Sequence, residues 1–144
     1  MSAPALLSVV TLGARDLPTL RDFYAKLGFP VVVDLDDFVA FQTRGAVFTL
    51  YALESLAKDA RVEPATPQPG HLDMSLAINV DRREQVDEAL EAARAAGARV
   101  TQEPIDMEWG GRTTYFADPE DNYWEIAWVP PDSRMAQALR EAVS

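Results

Sequence analysis

The chain has 144 residues, 48% hydrophobic and 25% charged, which suits one domain or two half-size units sharing a core. Thirteen Lys and Arg against 23 Asp and Glu give a formal net charge of −10, a surface that repels phosphate backbones and argues against nucleic-acid binding. The absence of cysteine closes disulfide frameworks, thiolate zinc sites and cysteine nucleophiles, and a single histidine, His71, closes multi-histidine metal sites within one chain. With no apolar run near the roughly 20 residues that span a bilayer and no basic-then-apolar opening, the expectation is a cytoplasmic protein without a membrane partner.

Leu6 to Leu12 reads as a strand. Asp16 offers a helix N-cap, Pro18 sits in the first turn, and Leu17, Leu20, Phe23, Tyr24 and Leu27 recur at helical spacing until Gly28 closes the helix. Three strands follow: Phe29 to Asp34, Phe38 to Thr43 and Ala46 to Leu53, with Asp34-Leu35-Asp36-Asp37 as a solvated turn. From Ser55 to Gly70 the pattern dissolves around Pro64, Pro67 and Pro69, as in a linker, with a short helical turn over Glu54 to Ala60.

The second half repeats the order. Leu72 to Val80 reads as a strand, and Asp81 to Ala96 as an amphipathic helix with Val86, Ala89, Leu90 and Ala93 on one face, ended by Gly97. Ala98 to Thr101 is a brief strand, and Gln102 to Trp109 a loop. Arg112 to Ala117 and Tyr123 to Val129 then flank the turn formers Asp118-Pro119-Glu120-Asp121-Asn122, a β-hairpin signature. Pro130-Pro131 stops the last strand. Asp132 or Ser133 can cap a tail helix carrying Met135, Leu139 and Val143 on one stripe. Four segments result: a first module over residues 1–54, a linker over 55–70, a second module over 71–129 and a helical tail over 130–144.

One charge interrupts the final strand. Glu125 lies between Trp124 and Ile126, and a carboxylate in such a run needs a partner, because an unpaired buried charge is costly. Period-two alternation puts Tyr123, Glu125 and Ala127 on one face and Trp124, Ile126 and Trp128 on the other, the latter being core under helices. Val47, Thr49 and Tyr51 share a face by the same parity, as do Leu7, Val9 and Thr11, and Asp73, Ser75 and Ala77. Trp109 and Met107, on the loop before the hairpin, read as a lid or as loop packing. Arg112, beside Gly110-Gly111, reads as an anion clamp or as a member of a surface ion pair.

Laid side by side, VVTLGARD near Val9 corresponds to SLAINVDR near Ser75, LGFPVV at Leu27 to AGARVT at Ala96, and RGAVFTLY at Arg44 to EDNYWEIA at Glu120. Each half is a strand-helix-strand-strand-strand unit. With TLGARDLPTLRDFYAKLGF (Thr11 to Phe29), AARAAGARV (Ala92 to Val100) and WGGRTTYFADPEDNYWEIAW (Trp109 to Trp128), the chain resembles the glyoxalase, bleomycin-resistance and extradiol-dioxygenase superfamily. The resemblance implies an α+β fold of two tandem βαβββ modules that form a cupped mixed β-sheet with helices outside. It also implies a homodimer and a ligand site in the cup.

Metal-dependent members of that family place four ligands at the cup's centre, and the matching positions here are Val9, Thr49, Ser75 and Glu125. Of these, Glu125 alone is a competent ligand, so no metal or other cofactor is expected. Glu125 is then either a structural carboxylate hydrogen-bonded to Thr49, Ser75 or a neighbouring hydroxyl, or the polar anchor of a ligand pocket. The resulting expectation is a metal-free protein that binds a small molecule, cationic or aromatic, through Glu125, Thr49, Ser75, Val9, Tyr51, Tyr123, Trp109, Met107 and Arg112. The alternative is a lyase, isomerase or dioxygenase using a displaced metal or acid-base chemistry at Glu125.

Overall fold

The computed structural model describes residues 2–144 and divides into two compact units, Met1–Thr66 and Pro67–Ser144. The first unit holds β1 (Val9–Ala14), α1 (Leu17–Leu27), β2 (Val31–Asp34), β3 (Phe38–Phe41), β4 (Val47–Ala52) and α2 (Leu53–Ala60). Its sheet has the order β1-β4-β3-β2, with β1 parallel to β4 and the other pairs antiparallel. α1 starts where Asp16 accepts the Thr19 N–H at 3.2 Å and the Thr19 hydroxyl at 2.7 Å. It ends where Gly28, at φ +115°, adopts a left-handed conformation that lets its own N–H and that of Phe29 reach the carbonyls of Ala25 and Tyr24.

α1 buries Leu20, Phe23 and Tyr24 against the sheet. Tyr24 is the hub, with ring centroids 4.9 Å from Phe23, 5.8 Å from Phe29, 5.9 Å from Phe41 and 4.8 Å from Phe48. Truncating such a fully buried aromatic to alanine costs about 3–5 kcal/mol.

The second unit repeats this topology with β5 (Ser75–Asn79), α3 (Gln85–Ala96), β6 (Arg99–Asp106), β7 (Arg112–Ala117) and β8 (Tyr123–Trp128), followed by α4 (Arg134–Ala142). The sheet order is β5-β8-β7-β6, again with one parallel pair, β5 and β8. Val86, Leu90 and Ala93 of α3 are buried, as are Phe116 and Trp124, whose rings stack 6.2 Å apart. The fold is therefore α+β, two tandem βαβββ modules, each built on a four-stranded mixed sheet.

Several boundaries differ from the sequence reading. β1 begins at Val9 rather than Leu6, and Leu6 and Leu7 are exposed. The helical turn expected over Glu54 to Ala60 is α2. α3 begins at Gln85 rather than Asp81, because the Gln85 carboxamide oxygen accepts the N–H groups of Asp81 and Arg82 and holds the preceding residues in a turn. β6 continues to Asp106, through residues expected to be a loop. It is an edge strand whose register slips between Gln102 and Ile105, and such a strand tolerates Pro104. The Asp132-or-Ser133 cap is Ser133, whose hydroxyl accepts the Ala136 N–H.

Candidate functional site

The hairpin that carries Glu125 is set by its turn. Asp118, 3% exposed, accepts the N–H groups of Glu120 and Asn122 on Oδ1 and the Asn122 side-chain amide on Oδ2. Asp121 takes φ +62°, and its N–H reaches the Asp118 carbonyl. This closure pairs Ala117 with Tyr123 and, two residues on, Tyr115 with Glu125. The parallel neighbour, β5, places Ala77 on the other side of Glu125.

Glu125 is partly buried, on the sheet face opposite α3. The Tyr115 hydroxyl donates to its Oε2 at 3.0 Å. Burial, then this hydrogen bond and the carboxylate's charge, raise the Tyr115 phenol above its ordinary range, so it stays protonated at neutral pH. Around the carboxylate the residues are small: Ala77 beside it, Ser75 opposite Tyr123, and Ala127 opposite Thr113. Tyr115 and Tyr123 flank this low patch, and the Tyr123 hydroxyl accepts the Gly70 N–H at 3.2 Å. Among the described residues no cation pairs with Glu125. In this unit Arg82 faces Glu84, Arg83 faces Asp106, Arg94 faces Glu91 and Glu103, Arg99 faces Asp121, and Arg112 faces Asp87 and Asp106.

In the first unit the corresponding register joins Thr49 of β4 to Thr11 of β1, hydroxyl to hydroxyl at 2.7 Å, and Thr49 also donates to the Val10 carbonyl at 3.2 Å. Thr49 is 1% exposed. Thus Glu125 is bonded to a neighbouring hydroxyl, but to Tyr115 rather than to Thr49 or Ser75. Val9 is exposed and lies opposite Val47, and the Tyr51 hydroxyl donates to Asp59 of α2 at 2.9 Å.

Two residues expected at the ligand have other surroundings. Arg112 points to the α3 side of the sheet, where it forks onto Asp87 at 2.8 and 2.9 Å and reaches Asp106 at 3.0 Å. The clamp reading gives way to an ion pair, because alternation along β7 puts Arg112 with Thr114 and Phe116, away from Tyr115. Trp109 is half exposed, and its indole lies directly over Gly111, where any Cβ would fall about 2.0 Å from the ring. The Gly110 N–H closes the loop onto the Met107 carbonyl, and the Met107 N–H onto Gly111. His71 is exposed, with Nδ1 3.2 Å from the Pro69 carbonyl.

Tyr115 is the residue that sequence reasoning missed. The signal was present: once the turn is centred on Asp118 to Asn122, counting outward from Ala117 and Tyr123 pairs Tyr115 with Glu125.

The donor set does not fit a resident divalent metal. Valine has no donor, the Thr49 hydroxyl is engaged twice within its own unit, Ser75 is neutral, and Oε2 of Glu125 holds the Tyr115 hydroxyl. Among the described residues no three His, Cys, Asp or Glu side chains are grouped to hold a metal ion, and no helix is long and apolar enough to cross a membrane.

Solved structures share this architecture. A glyoxalase-related enzyme from Fulvimarina pelagi is 31% identical, with a TM-score of 0.79 over 88% of this chain and 89% of its own. A glyoxalase/bleomycin resistance protein/dioxygenase family enzyme from Burkholderia phytofirmans PsJN is 26% identical, with a TM-score of 0.75 over 88% of this chain and 100% of its own. A lactoylglutathione lyase from Agrobacterium tumefaciens, 22% identical with a TM-score of 0.66 over 88% and 96%, shares the fold. No curated protein matches the chain. A profile of the glyoxalase/bleomycin resistance protein/dioxygenase superfamily matches residues 6–126. With the first repeat and nearly all of the second inside that match, the chain belongs to the glyoxalase/bleomycin resistance protein/dioxygenase superfamily.

Proposed function

We propose that the chain is a metal-free small-molecule-binding protein whose ligand is anchored on Glu125. The observation that carries this reading is the solitary carboxylate: it sits on a sheet face, and its one described partner is a neutral phenol. Each arginine paired in that unit is engaged by another acid. A positively charged or N–H-bearing ligand supplies what Glu125 lacks, and the rings of Tyr115 and Tyr123 beside it suit a cation or an aromatic group. Ser75 and the small side chains next to Glu125 leave room for the ligand body.

The protein is proposed to act in the cytoplasm and as a homodimer, and the dimer reading rests on the family resemblance. The exposed Met135 of α4 and Val143 at its C-cap leave an apolar stripe available to a second copy. Light scattering that gives the mass of one chain would remove the dimer.

The test of the metal-free reading is metal analysis of untagged protein, followed by calorimetric titration with nickel, zinc, manganese and ferrous iron, and then by ligand screens with Glu125→Gln as the first control. No stoichiometric metal and no micromolar metal binding is the expected result. One tightly held metal per chain, lost in Glu125→Gln, overturns it. A second reading, an enzyme, is favoured by the 31% identical relative described as a glyoxalase-related enzyme. On this chain it would place proton transfer on Glu125, with Tyr115 orienting the carboxylate. Turnover lost in Glu125→Gln without loss of ligand affinity would select it.

A further inference from the structure

The two units fill one matched position differently. In the first, Thr11 of β1 stands beside Thr49 of β4, with the two hydroxyls 2.7 Å apart. By alternation Gly13 shares the face of Thr11 and Tyr51 that of Thr49, and α2 covers this face. A Cβ on Gly13 would fall 2.5 Å from Cδ1 of Leu53, the first residue of α2, and the Tyr51 hydroxyl donates to Asp59 farther along that helix. Thr49 is buried beneath these groups.

In the second unit the register puts Ala77 of β5 where Thr11 stands in the first. Ala77 is exposed and ends in a methyl group, which leaves the β5 side of Glu125 open, whereas Tyr115 takes the β7 side. The covering helix is also set back. β4 runs directly into α2, but residues 129–133, with Pro130 and Pro131, separate β8 from α4. Because β5 is the edge strand, the opening beside Glu125 lies at the border of the sheet.

We infer that the ligand's donor group seats above Ala77, in the place the Thr11 hydroxyl takes in the first unit, and that the side chain at position 77 determines whether Glu125 is open to a ligand. A hydroxyl there occupies the seat from within the chain, as Thr11 does for Thr49. A methyl group leaves it to a donor from solution. The inference rests on the proposed anchoring role of Glu125 and adds the side from which the ligand reaches it and the residue that admits it.

The experiment uses the full chain, labelled with nitrogen-15, and phenethylamine as the probe, with amide shifts along β5 and β8 reporting affinity. The wild type should bind, and Ala77→Thr should bind on the order of tenfold more weakly, about the value of one hydrogen bond. Ala77→Lys, which brings the chain's own ammonium to Glu125, should abolish binding. Ala92→Lys adds the same charge at an exposed position of α3, on the opposite side of the sheet, and should bind as the wild type does. The amide spectra establish that each variant is folded, which the exposure of position 77 favours. Wild-type affinity in Ala77→Thr, with binding lost in Glu125→Gln, would overturn the seat and leave the anchor standing, whatever Ala77→Lys does. If phenethylamine moves no amide around Glu125 in the wild type, the anchor and the seat fail together.

Discussion

The hydroxyls of Thr11 and Thr49 lie 2.7 Å apart on directly opposed residues of parallel strands, in the register that Ala77 and Glu125 occupy in the second unit. The duplication has therefore diverged at one matched pair. One copy closes on itself through two hydroxyls, and the other presents a carboxylate beside a methyl group. Thr49→Val keeps the shape and removes the hydroxyl from a position 1% exposed. It should destabilise the protein by about 1 kcal/mol, since the Val10 carbonyl and the Thr11 hydroxyl each lose a partner. Ligand affinity should be unchanged. Urea unfolding with a shifted midpoint and an unchanged slope would check the first statement.

Glu125→Gln tests the causes of the raised Tyr115 phenol. Burial is the largest, so the variant should bring the phenol only part of the way back toward its ordinary value near 10. Because the folded-state value lies above the unfolded one, the associated stability is present below the ordinary tyrosine range and is lost as pH rises through the folded value. Ultraviolet titration of wild type and variant reads this directly. A full return to the ordinary value would assign the shift to the carboxylate alone.

Arg112 and Asp87 tie α3 to β7. The hydrogen bond from Arg112, then its charge, holds the Asp87 carboxyl below its ordinary range, against an opposing effect of burial. The bonds from Arg83 and Arg112 do the same for Asp106. Lowered carboxylates contribute stability that is complete above the ordinary range near 4 and is lost as pH falls through the folded values. Arg112→Met should therefore flatten the loss of stability in acid. Asp87 is 49% exposed, so water screens the pair and the effect at neutral pH should be only about 1 kcal/mol. Chemical denaturation repeated from neutral to acid pH checks both.

Gly111 is held by backbone as well as by an indole. A Cβ there would meet the Trp109 ring at 2.0 Å and the Trp128 carbonyl oxygen at 2.6 Å. The half-exposed ring can swing away, but the carbonyl belongs to β8. Gly111→Ala should destabilise the hairpin by about 1–3 kcal/mol and alter tryptophan emission. Gly45→Ala is the comparison. It has open space around its Cβ, but its φ of +81° imposes a backbone penalty alone, so emission should not change.

Much of the fold was legible because its signals are local. Helical spacing from Leu17 to Tyr24, the caps at Asp16 and Gly28, the alternation that sends Trp124 inward, and the turn at Asp118 to Asn122 all act within a few residues. The faint repeat, read with those signals, was enough to give two βαβββ modules. The site was less legible. Glu125 announced itself as a charge in an apolar strand, and its neighbour could be counted across the hairpin turn. By contrast, the pairing of β1 with β4 and of β5 with β8, which sets Thr11 against Thr49 and Ala77 against Glu125, joins residues 38 and 48 apart in the chain and leaves no local trace.

The sequence by itself determined the elements, their order and the faces they bury, since these follow from periodicity and backbone preference. Only the tertiary structure decided which acid each arginine engages and which residues Thr49 and Glu125 face across their parallel neighbours. Arg112 shows why: among 23 acidic residues, sequence spacing does not identify Asp87, whereas the packing of α3 on β7 brings the two side chains within hydrogen-bond reach.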